Sequence, residues 1–204
     1  MPTFASSATL GLTLGLLGLP LLGGPAPTGP EFGLSLKLQH PMGEYKSTVS
    51  DASLGYGVGL RGHLFFSPRH ALSARLDHDR FQEASSEATG SNYYMHGSTK
   101  VSETSLGLTY EWFYAGRGTG GYVLAGPVYR RWQEQRSLAY DQVRPGPIPP
   151  SQFSDTTPTG LGIDLGWGYR GSAQTVIEVH MLSSSYGSTG VTANSLQFTF
   201  IQYW

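Results

Sequence analysis

The stretch "ASLGYGVGLRGHLFF" sorts its residues by parity. Leu54, Tyr56, Val58, Leu60, Leu64 and Phe66 share one side, and Gly55, Gly57, Gly59, Arg61 and His63 share the other. "SLGLTYEWFYA" sets Leu106, Leu108, Tyr110, Trp112 and Tyr114 against Gly107, Thr109 and Glu111. "TGLGIDLGWGYR" sets Leu161, Ile163, Leu165, Trp167 and Tyr169 against small and charged residues. Period two over such lengths demands long strands with two unlike faces. From about Pro30 onward no helix-period pattern competes with it.

Eight such segments can be placed, at about 31–40, 53–66, 70–82, 101–115, 121–134, 157–170, 174–186 and 192–204. Their connections alternate in length. "SPR", "GRGTG" and "GSA" are short; "PMGEYKSTVSDA", "QEASSEATGSNYYMHGSTK" and "EQRSLAYDQVRPGPIPPSQFSDTT" are long, and "GSTGV" is intermediate. In an up-and-down barrel, odd and even connections lie at opposite ends. Short turns at one end and long loops at the other, with an even strand number, mark an outer-membrane barrel.

Alternation alone also fits a soluble barrel, so the character of each face must decide. The polar face is built of Gly, Ser and Thr with a few charges, and charged residues are 13% of the chain against ~25% in soluble domains. Small residues suit the crowded interior of an eight-stranded barrel, which side chains just fill. Aromatic residues gather at strand ends. Phe32, Phe66, Tyr114, Tyr122, Trp167, Tyr169 and Trp204 are expected at the short-turn end, and Phe81, Trp132 and Tyr186 at the loop end, as two interfacial girdles. The fold class is therefore all-β: an eight-stranded antiparallel up-and-down transmembrane β-barrel over 30–204.

Residues 1–29 read as a signal peptide and short linker. "ATLGLTLGLLGLPLLGG" is apolar and uncharged, and "GGPAPTGP" offers small residues for cleavage, although "MPTFASS" lacks Lys and Arg. An uncleaved membrane helix is the alternative, for which Gly and Pro make a poor anchor. The net charge of −1 and the lack of a basic run argue against a nucleic-acid partner, and with no Cys there is no disulfide, thiol chemistry or lipoprotein anchor.

The tail "LQFTFIQYW" places Leu196, Phe198, Phe200 and Trp204 on one parity, with Gln202 interrupting. It resembles the C-terminal signal that the outer-membrane assembly machinery reads, and a register counted from Tyr203 is an alternative. The expected strand chain resembles the small OmpA/OmpX-type eight-stranded barrels, and "GGYVLAGPVYRRW" and "VIEVHMLSSSYGSTGVTANSLQFTF" are similar to segments of that superfamily. The resemblance implies a monomer in the bacterial outer membrane with periplasmic termini and extracellular long loops. The implied partners are outer-membrane lipid, lipopolysaccharide, the assembly machinery and a protein or surface ligand at the loops. It implies function poorly, since one fold hosts many functions. No wall-binding domain is expected after the barrel.

The inward parity carries Lys37, Arg61, His63, Arg75, Asp77, Glu111, Asp164, Arg170, Glu178 and His180. Mixed charges in a narrow lumen should pair, because an unpaired buried charge is costly. A plug of ion pairs is the leading expectation; a narrow pore for small solutes is the alternative. An enzyme ranks third. "HMLSSSYG" invites comparison with lipid A deacylases, where Ser lies two residues after His, but Leu182 stands there. Neither a catalytic residue, a cofactor nor a metal site is expected: His63, His70 and His78 fall on different parities. "YYMHG" reads either as contact surface or as membrane-interface aromatics. Finally, the short turn at Gly171–Ala173 predicts Arg170 opposite Gln174 and Asp164 opposite His180, so that the last two touch in the lumen.

Overall fold

The computed structural model describes residues 29–47, 54–115, 118–171 and 174–204. The expected signal peptide lies, but for Gly29, outside the described residues. Ten strands follow in order: β1 (Pro30–Met42), β2 (Gly55–Ser67), β3 (His70–Phe81), β4 (Ala84–Thr89), β5 (Tyr93–Phe113), β6 (Gly120–Gln142), β7 (Gln152–Thr156), β8 (Thr159–Arg170), β9 (Thr175–Ser185) and β10 (Thr192–Tyr203). One helical turn, α1 (Gly43–Tyr45), follows β1.

Eight of these strands close a ring in the order β1, β2, β3, β5, β6, β8, β9, β10, each antiparallel to its neighbours. β1 and β10 seal it, from Gly33 opposite Tyr203 to Met42 opposite Asn194. Closure removes the open edges that a bilayer would not tolerate.

The eight expected strands were incomplete. β5 and β6 run 21 and 23 residues, far past the expected 101–115 and 121–134. With β4 and β7 on their flanks they make a four-stranded sheet, β4-β5-β6-β7, beyond the rim. Residues 93–100 alone carry it about 26 Å at ~3.3 Å per residue. Much of the two longest segments expected as loops is strand: 84–89 and 93–100, and 135–142 and 152–156. Both faces of this sheet meet water, so its hydrogen bonds form without the oily-and-polar alternation by which strands are recognised.

Burial in the ring is inverted relative to a soluble domain. Leu34, Leu36, Leu60, Leu106, Ile163, Leu165, Phe198 and Phe200 are exposed on its outside, while Lys37, Arg61, Arg75, Arg130 and Arg170 are at most 3% exposed inside. No soluble monomer would leave so continuous an apolar belt in water. The polar interior is the arrangement of a barrel whose solvent is lipid.

Inward glycines make the space that the charged side chains fill. A Cβ on Gly59 would lie 1.9 Å from Asp77 Oδ1, on Gly57 2.1 Å from Asp79 Oδ1, and on Gly107 2.4 Å from Arg75 Nε. Gly107→Val should therefore lower unfolding stability by ~1–3 kcal/mol through overpacking. Gly62→Ala, where a Cβ meets nothing within 4 Å, should change little. Urea titration of the refolded barrels in vesicles would compare them; equal midpoints would refute the packing argument.

Candidate functional site

The lumen is lined by three tiers of polar contacts. At the short-turn end His63 lies between two carboxylates, with Nδ1 3.1 Å from Glu31 Oε2 and Nε2 2.9 Å from Glu111 Oε2. Arg170 donates to Glu31 Oε1 at 2.7 Å, and its guanidinium sits over the rings of Phe65 and Tyr203. Tyr203 in turn stacks on His63.

In the middle tier, Lys37 bridges Asp77 (3.2 Å) and Asp79 (2.7 Å), and Arg61 reaches Asp77 at 2.9 Å. Arg75 meets Asp164 at 2.8 Å. His180 lies between Asp164 (3.0 Å) and Glu178 (2.8 Å), and Tyr122 donates to Glu178 at 2.6 Å.

Toward the loop end, Arg130 grips Glu103 with two bonds of 2.7 Å and donates to the Ala193 carbonyl at 2.7 Å. Gln39 and the Trp132 indole also donate to Glu103 Oε2, at 3.1 and 3.0 Å. Above this, Tyr45, Phe81, Trp132 and Tyr186 cluster edge to face or tilted, with centroids 4.8–6.1 Å apart. Burial, with Glu103 beside Tyr45 and Glu134 beside Tyr186, pushes both phenols above the ordinary tyrosine range. Both therefore remain O–H donors, Tyr45 to Glu103 and Tyr186 to Glu134.

The structure places all ten inward residues named from the sequence inside the barrel, each at most 4% exposed. The register between β8 and β9 differs from expectation. Asp164 faces Leu182, Gly166 faces His180 and Arg170 faces Val176. The Gly171 N–H bonds to the Thr175 carbonyl at 3.2 Å, so the turn is longer than the minimum, and the partner shifts by two. Face is preserved because the shift is even, and the imidazole reaches Asp164 as a diagonal neighbour.

Four of the expected girdle residues are misplaced, two of them on β6. Tyr122 and Trp132 point into the lumen, 2% and 0% exposed, as do Phe81 and Tyr186. β6 is apolar on both faces below Arg130, so parity could not be read from it. Its partnership with β5, Ser105 opposite Arg130 and Glu103 opposite Trp132, turns those positions inward. Phe32, Phe66, Tyr114, Trp167, Tyr169 and Trp204 are exposed outside, at the short-turn end.

Sequence reading also missed Asp79, Glu103, Arg130, Gln39 and Glu31. Asp79 and Glu103 share parity with Asp77 and Glu111 and could have been found that way; Arg130 needed the β5–β6 register. "YYMHG" lies in the part of β5 beyond the rim, where Tyr94 pairs with Thr89 and Asp141, not at the belt. The residue two beyond His180, Leu182, is apolar and buried. Among the described residues no cluster of three His, Cys, Asp or Glu could hold a metal ion.

No family model matches the sequence, and no curated protein matches it. The fold does match solved structures. Ail, the attachment invasion locus protein of Yersinia pestis, is similar with a TM-score of 0.53 at 10% identity, covering 87% of this chain and 100% of Ail. Ail in complex with the heparin analogue sucrose octasulfate gives 0.50 at 10% identity over the same shares. The N-terminal β-barrel domain of Pseudomonas aeruginosa OprF gives 0.46 at 14% identity, over 85% and 98%. Closed ring, apolar belt, polar lumen and the likeness to Ail agree: the chain has the fold of a small eight-stranded outer-membrane β-barrel.

Proposed function

We propose that this is an outer-membrane anchor for a contact surface. The barrel holds the chain in lipid, its lumen is a structural plug, and the sheet beyond the rim meets partners outside the cell. In this reading the chain works as a monomer, the short turns and both barrel termini face the periplasm, and the last strand is what the assembly machinery engages. The aromatics Phe32, Phe66, Tyr114, Trp167, Tyr169 and Trp204 anchor the periplasmic interface.

The observation that carries the reading is the four-stranded sheet. Long loops need no such order, and ordering costs backbone entropy at every residue. A rigid sheet presents side chains at fixed spacing. Tyr93, Tyr94 and Tyr140 lie on it, with Tyr93 and Tyr140 edge to face at 5.3 Å, and Phe153 is 71% exposed on β7. Rigid aromatics among small polar residues suit contacts with proteins or glycans. The charges there are mixed, Glu87, Asp141 and Asp155 against Lys100, Arg136 and Arg144, which does not favour a polyanionic partner.

One observation favours a narrow pore instead. In the middle tier the hydroxyls of Ser35, Ser105 and Thr199, and one Nη each of Arg61 and Arg75, have no hydrogen-bond partner among the described residues. Buried groups of this kind are normally satisfied by water.

A single trimmed variant separates the two. Short turns would replace 84–99 and 134–157, and intact and trimmed chains would be compared for adhesion of expressing cells and for conductance in planar bilayers. The anchor reading expects adhesion only with the intact chain and silent bilayers with both. Adhesion that survives trimming, or reproducible open states from the intact barrel, would refute it.

A further inference from the structure

The connection from β6 to β7 is longer than adjacent antiparallel strands need. About two to five residues close a hairpin, yet 143–151 lie between Gln142 and Gln152. The sequence there is "VRPGPIPPS". It stands at the far end of the sheet beyond the rim, because Gln142 pairs with Tyr93, the first residue of β5. From Val143 to Ser151 every residue is exposed except Pro149, which is partly so. Val143 and Ile148 are apolar yet 62% and 41% exposed. Only Arg144 and Ser151 carry polar side chains.

The segment is held at both ends and open between them. The Val143 and Arg144 N–H groups donate to the Asn92 carbonyl at 2.9 and 3.2 Å. Gln142 Nε2 donates to the carbonyls of Arg144 and Gly146 at 3.1 and 3.2 Å. Gly146 completes this clamp: its φ is +153°, and a Cβ there would lie 2.3 Å from Asn92 Nδ2. At the other end Gln152 enters β7 opposite Leu138. Among the described residues no backbone hydrogen bond reaches 147–151. Pro147, Pro149 and Pro150 lack an N–H and have φ fixed near −65°. Ile148 and Pro149, each before a proline, are held to extended angles. The chain is thereby biased to one turn of polyproline II helix, in which Pro147 and Pro150 fall on one edge ~9 Å apart. Its carbonyls are left as acceptors.

We infer that Pro147–Pro150 is a docking peptide for a partner protein whose groove is lined by aromatic side chains. Prolyl rings pack between Tyr and Trp rings, and the carbonyls accept hydrogen bonds from the O–H and N–H groups of those side chains. A chain already fixed by proline loses little entropy on docking, and the clamp at Asn92 reduces the loss further. Ile148 supplies an apolar side chain for a pocket in the groove. Arg144, exposed three residues before Pro147, fits a carboxylate at the groove's end. The scarcity of polar side chains favours a protein partner over a glycan. The inference rests on the proposed contact surface and names the segment and the partner chemistry.

The test uses the full chain refolded in detergent and immobilised. The probes are a set of isolated WW and SH3 domains, small modules with such grooves. At least one domain should bind the native chain about tenfold more tightly than it binds P147A/P149A/P150A. Replacing the groove Trp of that domain by Ala should abolish its binding. R144Q should lose part of the preference, and P158A, a proline outside the segment, should keep all of it. All variants should remain heat-modifiable barrels with the native urea midpoint, because the segment packs against nothing in the barrel. Binding by none of the domains, equal binding to P147A/P149A/P150A, or undiminished binding by the Trp-less domain would overturn the inference. Cell adhesion separates this failure from that of the contact surface. P147A/P149A/P150A should lose the adhesion of the native chain. Adhesion undiminished in that variant would overturn the docking peptide and leave the contact surface standing. No adhesion by the native chain would refute the contact surface itself.

Discussion

Replacing Arg130 by Met should cost ~3–5 kcal/mol of unfolding stability, the penalty for stranding a buried charge. Glu103 is fully buried, and Arg130 supplies its two shortest hydrogen bonds. Gln39, Trp132 and Tyr45 remain beside the carboxylate in the variant, but none of them carries charge. Glu103→Leu combined with Arg130→Met should recover most of the loss, because replacing both partners removes the desolvation cost of each. Lys100→Ala is the counterpart at the surface. It breaks the Lys100–Glu83 pair, where both side chains are about half exposed, and should cost below ~1 kcal/mol. Urea unfolding in vesicles, followed by Trp fluorescence, reads all three variants against the native chain. If Arg130→Met and Lys100→Ala prove equally mild, the loop-end tier is hydrated and open, and the plug reading falls.

The ring was legible in the sequence because lipid and lumen impose opposite demands on alternate residues. Where that contrast is sharp, as in Leu161 to Tyr169 against Gly160 to Arg170, parity alone assigned every side chain to its face. Where it is weak, parity failed. Tyr122, Leu124 and Val128 are inward and Val123, Ala125 and Pro127 outward, so two aromatics of β6 were assigned to the wrong face. Beyond the rim both faces are wet, the contrast vanishes, and β4, β7 and the extensions of β5 and β6 went unread. The lumen pairs needed register as well as face. Asp164 and His180 touch despite a register displaced by two, because a long side chain tolerates the diagonal. Glu103 and Arg130 come from adjacent strands, whose register is set by backbone pairing that leaves no mark in composition.

The belt supports the other large prediction. Leu165→Arg should cost ~2–4 kcal/mol in a bilayer, the price of a cation near the membrane midplane. Leu165 is 47% exposed on the outer wall, with outward Ala125 and Met181 opposite it on β6 and β9. It lies mid-strand between outward Ile163 and Trp167, so a new guanidinium is far from either interface and has no polar neighbour there. Ser185→Arg is the control. It is outward and exposed at the loop end of β9, past Met181 and Ser183, and should cost less than ~1 kcal/mol. Gly166→Ser would be a poor control despite facing inward, since a Cβ there would lie 2.6 Å from the Val179 carbonyl oxygen. In vesicles of increasing acyl length the Leu165→Arg penalty should grow, because the guanidinium has further to reach to either interface. Plain buffer should yield no folded monomer of any variant, the native chain included, for the belt would then face water. Equal stability of Leu165→Arg and Ser185→Arg in vesicles, or a folded native monomer without lipid or detergent, would show that the apolar wall is not a lipid face.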